Sequence, residues 1–240
     1  HAMSMATSRK SFARLQDRGE LPNYFYPIWV GHPDTLRYSY DDLPKNLQKI
    51  FNYDIEEAKK ILAKEGYPNG FKVDVYTKTT AEDTDRASLL KDMWGKVGVD
   101  VNIIAKDSVS FDKLYRTRPT QMHGAWMMAG SHGNPAEILL ARESTHHWNA
   151  NVYNNIWWDT QMGKLKQTVN IKKRHEMIKE LSLFLTDESL AIKTDPRMEG
   201  VYWWPWVKNY YGEFAVADND FQPILAKAWL DQKMKKEMGY

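Results

Sequence analysis

The chain has no cysteine, almost no net charge and no long apolar run. Without cysteine there is no disulfide framework, no thiolate zinc site and no thiol nucleophile. Thirty-three Lys plus Arg against 31 Asp plus Glu leave a formal charge of +2. A surface dedicated to nucleic acid or to anionic membrane needs clustered cations in clear excess, so neither partner is expected. No uninterrupted apolar stretch nears the roughly 20 residues of a membrane-spanning helix. Catalytic signatures are missing too: there is no Gly-x-Ser-x-Gly elbow, no Walker loop and no His-Glu-x-x-His.

What the chain has is length and rings. At 240 residues, one or two domains with a sizeable core are expected. Ten Trp, thirteen Tyr and eight Phe supply broad contact surfaces with few rotatable bonds. Single rings of this kind are core by default, whereas a cluster points to a ligand or partner.

Residues 1–8, opening HAMSM, read as tag and cloning residues. Pro22, Pro27, Pro33 and Pro44 keep residues 9–50 from forming a long helix, so an extended leading segment is expected there. From Asp54 the pattern turns regular. Asp54 and Glu57 are spaced as a capping box ahead of Ile55, Ala58, Ile61 and Leu62 on one helix face, and Gly66 and Pro68 stop that helix. Phe71, Val73 and Val75 alternate with polar residues as a strand. A helix over 83–97 follows, with Leu89, Leu90, Met93, Trp94 and Val97 facing inward, and Val99, Val101 and Ile103 form a second strand. Strand, helix and strand at this spacing predict a right-handed βαβ unit with parallel strands, hence an α/β fold.

A short helix over 109–117 and a third strand over 123–128 lead into the Gly-rich loop 129–135, where Pro135 opens a helix running to Arg142. Ligands of open α/β sheets gather at strand carboxyl ends, which makes the loop after Met128 the first candidate site. Helices are expected over 156–168 and from Asn170 to Leu185, the latter with Ile171 and His175 on its inner stripe. Strands are expected over 189–194 and 199–207, and a closing helix from Pro223 to Lys236.

Several of these stretches resemble the extracellular solute-binding proteins of family 5, the peptide, opine and nickel type of ABC importer receptor. They are YDIEEAKKILAKEGYPNGF (53–71), LLKDMWGKVGVDVNI (89–103), GAWMMAGSHGNPAEIL (124–139) and RHEMIKELSLFLTDESLAI (174–192), in family order. The resemblance implies a periplasmic-binding-protein-like lobe with βαβ units and a mixed sheet flanked by helices. Residues 51–200 would form this lobe. Residues 201–240 would be a carboxyl-terminal strand and helix crossing to an amino-terminal lobe that is missing here. It further implies a periplasmic or extracellular receptor, lipid-anchored in some cases, that captures a small solute between two lobes. The solute then passes to the permease subunits of an ABC importer.

Peptide-binding members carry an Asp after the Gly-Trp strand to hold the ligand amine, but the matching position here is Ala129, so that anchor is absent. The expected ligand contacts are Trp126, Ser131, His132 and Asn134 in the loop, and Tyr202, Trp203, Trp204 and Trp206 in the densest aromatic cluster. If residues 199–207 are a strand, Tyr202 and Trp204 share one face and Trp203 takes the other. His123, His132, His146 and His147 show no two-ligand spacing, so no metal is assigned, and no cofactor or catalytic residue is expected. An aromatic-rich glycan-binding module or glycosidase fragment is the competing reading. It would need paired carboxylates across a cleft beside stacking Trp rings.

Overall fold

A computed structural model of the chain describes residues 1–15, 27–28, 32–116, 124–127, 134–194, 202–212 and 226–240. Two compact units are present: His1–Gly130 with Pro135–Pro196, and Ser131–Asn134 with Arg197–Tyr240.

The first unit is built on a parallel sheet. Strands β1 (Lys72–Lys78) and β2 (Asp100–Lys106) pair in parallel along their whole length, with Val75 opposite Ile103, and β3 (Gly124–Trp126) pairs in parallel with the other side of β1. The βαβ expectation holds, with helix α5 (Ala81–Gly95) as the crossover. Thr80 caps α5 by accepting the Asp83 N–H at 3.2 Å, and Ala87, Leu90, Met93 and Trp94 form its buried face. The turns that open the two long strands touch. A Cβ on Gly70 would lie 2.0 Å from the Gly98 carbonyl oxygen, and both residues have positive φ, so only glycine serves at either place.

Helix α4 (Ile55–Lys64) starts at Asp54, whose carboxylate accepts the Glu57 N–H at 2.9 Å. The return half of the capping box is replaced, because the Asp54 N–H donates to the Met5 carbonyl instead. Residues 1–8, read from the sequence as tag residues, are thus packed against the first core. Helix α1 (Ala2–Met5) and Ala6 are buried with Ala58, Leu62, Met93 and Trp94, and the Trp94 Nε1–H donates to Thr7 Oγ1 at 2.9 Å.

The described residues of the leading segment 9–50 are likewise not simply extended. They hold α2 (Arg9–Leu15), a 3-10 turn at Asp34–Leu36 and α3 (Lys45–Lys49). Pro33 stands immediately before the 3-10 turn and Pro44 immediately before α3, so neither interrupts a helix. Buried Gln48 ties the preceding turn by donating to the carbonyls of Tyr40, Asp41 and Leu43.

Helix α6 (Ser108–Arg116) follows β2, and α7 (Pro135–Leu140) starts at proline as expected. Helices α8 (Ile156–Gln167) and α9 (Ile171–Glu188) start on the asparagine caps Asn155 and Asn170 and share a second core with α7, built on Trp158, Met162, Leu165, Ile178, Leu181 and Leu185. Ile171 departs from its expected inner position at 70% exposure, because the first helical turn lies beyond the packed stripe. No strand forms over 189–194: Ser189 adopts a left-handed conformation (φ 49°) that ends α9.

In the second unit the described residues form a short antiparallel pair, β4 (Val207–Lys208) with β5 (Trp229–Leu230), and helix α10 (Gln232–Glu237). The expected strand over 199–207 is therefore limited to its last residue, residues 199–201 lying outside the described range. The closing helix expected from Pro223 begins only after the Asp231 cap, which accepts the Met234 N–H at 3.0 Å, and residues 223–225 lie outside the described range. Trp229, read as helical, instead pairs with Lys208.

Candidate functional site

The strand order β2-β1-β3 fixes where the first unit opens. The chain leaves β1 toward β2 on one side and then returns past β1 to place β3 on the other, so the switch point lies between the carboxyl ends of β1 and β3. Crossovers running in opposite directions put their helices on opposite faces, and a crevice is left at those ends. Val75, Thr77 and Val101 face the α5 core, while Lys78 lies over Phe111 of α6 on the other face.

Gly124 makes the close approach of β3 possible. A Cβ there would lie 2.5 Å from the Asp74 carbonyl oxygen and 3.0 Å from the Tyr76 ring. Trp126 is the register partner of Tyr76, and the Met127 N–H continues the pairing onto the Tyr76 carbonyl at 2.9 Å. Trp126 is thus delivered by its backbone to the end of the strand at the switch point. Ser131 and His132 lie outside the described residues, as does His123. Asn134 is exposed just before α7.

On the other side of β1 from the switch point lies the end of β2. The Thr79 N–H donates to the Lys106 carbonyl at 3.0 Å, and Lys78 reaches Asp112 of α6 with Nζ 3.1 Å from Oδ1. Asp107 accepts the Ser110 N–H at 3.0 Å, and hydrogen bonds with Ser110 hold its carboxyl below the usual carboxylate range. Lys78 and Lys106 escape a reading that follows only the apolar beat of the strands, which ends before these positions. The available signal is that both belong to the polar beat.

The aromatic cluster of the second unit divides into structural and surface members. Trp204 and Trp206 stack with ring centroids 4.6 Å apart and planes 8° from parallel, and the Tyr240 ring lies 4.9 and 4.8 Å from them. Trp206 is only 4% exposed, so its ring serves as the core of this small unit. Residues 202–204 are not a strand, and Trp204 meets Trp206 across Pro205. Trp203 is set edge-on against Tyr210 at 5.1 Å, with Gly212 (φ +88°) so close that a Cβ would sit 3.1 Å from the indole. Trp203 and Trp204 remain half-exposed and Tyr202 is 95% exposed.

His146 and His147 stack at 4.6 Å, and the Trp148 N–H donates to His146 Nδ1 at 3.1 Å, which requires an unprotonated Nδ1. Burial, then the neighbouring His147, holds His146 below the usual histidine range. Among the described residues no group of three or more His, Cys, Asp or Glu is placed to hold a metal ion. No helix among them is long and apolar enough to cross a membrane. In the second unit, the described carboxylate side chains are Asp231, which caps α10, and Glu237, 4.0 Å from Lys233. Neither forms the acid pair that a glycosidase needs.

The sequence profile of "Bacterial extracellular solute-binding proteins, family 5 Middle" matches residues 1–148. The chain is 25% identical over 197 residues to heme-binding protein A of Haemophilus influenzae, covering 78% of this chain and 34% of that protein. Among solved structures it resembles the periplasmic binding protein DppA of Helicobacter pylori in complex with the peptide STSA, with a TM-score of 0.64 and 20% identity, covering 96% of this chain and 43% of that one. It also resembles Haemophilus influenzae OppA in complex with RPPGFSPFR, with a TM-score of 0.64 and 19% identity, covering 95% of this chain and 44% of that one. The chain therefore spans about a third to less than half of the length of these relatives.

Proposed function

We propose, on the premise that the chain belongs to family 5 of the bacterial extracellular solute-binding proteins, that it is one solute-contacting lobe of an ABC importer receptor. Such a receptor works by an equilibrium between open and closed lobes, biased by a solute that touches both. In this reading a small solute lies against the crevice at the ends of β1 and β3, and Trp126 and the Gly-rich loop that follows it in sequence supply contacts. The observation that supports the reading is the switch point itself, where Gly124 lets β3 lie close against β1. Permease subunits receive the solute outside the cytoplasm, in the periplasm or at a lipid-anchored position on the cell surface. The relatives named above are binding proteins, and no catalytic role is proposed.

Tyr202, Trp203, Trp204 and Trp206 divide in the same reading. The first three offer ring surface to a solute or to an amino-terminal lobe, while Trp206 stacks beneath Trp204. A receptor that binds at about micromolar, roughly −8 kcal/mol, and loses half its contacts keeps about −4 kcal/mol, or millimolar affinity. Calorimetry of the 240-residue chain with short peptides should therefore register no binding tighter than about millimolar. Submicromolar binding by this chain alone would overturn the two-lobe account.

A further inference from the structure

The polar face of the β1–β2 pair obeys a simple rule along most of its length. Lys72 stands opposite Asp100, with Nζ 3.8 Å from Oδ2. Asp74 stands opposite Asn102, whose Nδ2–H donates to Asp74 Oδ1 at 2.8 Å, and Tyr76 stands opposite Ile104. Each pair is complementary, as neighbours about 4.8 Å apart on one sheet face should be.

The rule breaks at the last pair, where Lys78 stands opposite Lys106. Like charges in register destabilise a sheet, and a local conflict within an otherwise consistent pattern marks a place selected for something besides folding. Asp112 takes up Lys78, but that carboxylate is about half exposed, and an ion pair in such a setting holds weakly. Asp107, the other nearby acid, is committed to the α6 backbone through Ser110. Lys106 has no ion-pair partner among the described residues. The unmatched pair sits at the carboxyl end of the central strand, beside the switch-point crevice, and Lys78 is held over the Phe111 ring with 31% of its side chain exposed.

We infer that Lys78 and Lys106 form an anion subsite that takes a carboxylate of the solute. This deepens the proposed function and rests on it. A carboxylate bridging two ammonium groups accepts charge-assisted hydrogen bonds and relieves their mutual repulsion.

The test uses three five-carbon probes on the full chain, namely glutarate, its neutral diamide glutaramide, and 1,5-diaminopentane, followed by amide chemical shifts at millimolar concentrations. Glutarate should move the amides of residues 78–80 and 106–107 and saturate, and the diamide and diamine should not. Lys106→Met, which leaves the Lys78–Asp112 pair intact, should weaken glutarate about tenfold, and Lys78→Met should do the same. Glutarate binding that is unchanged in Lys106→Met, or diamine binding at these residues, overturns the subsite while leaving the crevice reading in place. If none of the probes, nor any short peptide, perturbs the strand ends, the proposed function falls together with the subsite.

Discussion

Residues 1–8 offer the sharpest test, because the same eight residues are dispensable if they are a tag and indispensable if they are core. Met5 is 4% exposed and packs with Ala58, Leu62, Met93 and Trp94, while its carbonyl accepts the Asp54 N–H that opens α4. Truncating a buried Met to Ala removes its transfer energy and leaves a cavity, at a cost of about 2–5 kcal/mol. Taking about 3 kcal/mol and about 2–4 °C per kcal/mol for a chain of this size, Met5→Ala should lower Tm by about 6–12 °C. Deleting residues 1–8 should cost more, because Trp94 Nε1 would lose Thr7 and the Asp54 N–H would lose Met5. Scanning calorimetry of the intact chain, Met5→Ala and the deletion variant measures this directly, with Ile171→Ala, at an exposed helical position, as the neutral control. A Tm for Met5→Ala within a degree or so of the control would refute the argument that α1 is part of the core.

Gly124→Ala should push β3 off β1, seen as faster hydrogen exchange at the Met127 amide; unchanged protection there would mean the 2.5 Å approach to Asp74 is not limiting. Trp206→Ala should expose residues 202–212 and 226–240 to limited proteolysis, whereas Tyr202→Ala should change nothing, and equal cleavage of the two variants would deny Trp206 its core role. Because the folded state keeps His146 neutral and its pKa below the ordinary value, the unfolded chain takes up the proton first as pH falls. Stability from this group is therefore complete above about pH 6.5 and is lost as pH drops toward the lowered value. Urea midpoints should fall more steeply between about pH 7 and pH 5 for the wild-type chain than for His146→Gln. Parallel slopes would remove His146 from the account.

Local rules carried the sequence a long way. Asp54, Thr80, Asn155 and Asn170 each stand at a helix start and each accepts a backbone N–H three residues on. The period of Phe71, Val73 and Val75 followed by the helical stripe of Leu90, Met93 and Trp94 was enough for a parallel βαβ unit, because both patterns are imposed by neighbours a few residues apart. Pairing over long range was not legible in this way. Which side of β1 receives β3 depends on the whole sheet, and with it the location of the crevice and the meeting of Lys78 with Lys106. Trp203, Trp204 and Trp206 look alike in sequence, but Trp206 is buried because it stacks on Trp204 and Tyr240. The HAMSM start shows the same division most plainly. Nothing within those residues marks them as core, since their burial is set by α4 and α5, whose contacting residues lie some fifty to ninety positions further along the chain. Side-chain chemistry near in sequence chose the elements, and only three-dimensional proximity, paid for by buried apolar area, decided which of them meet.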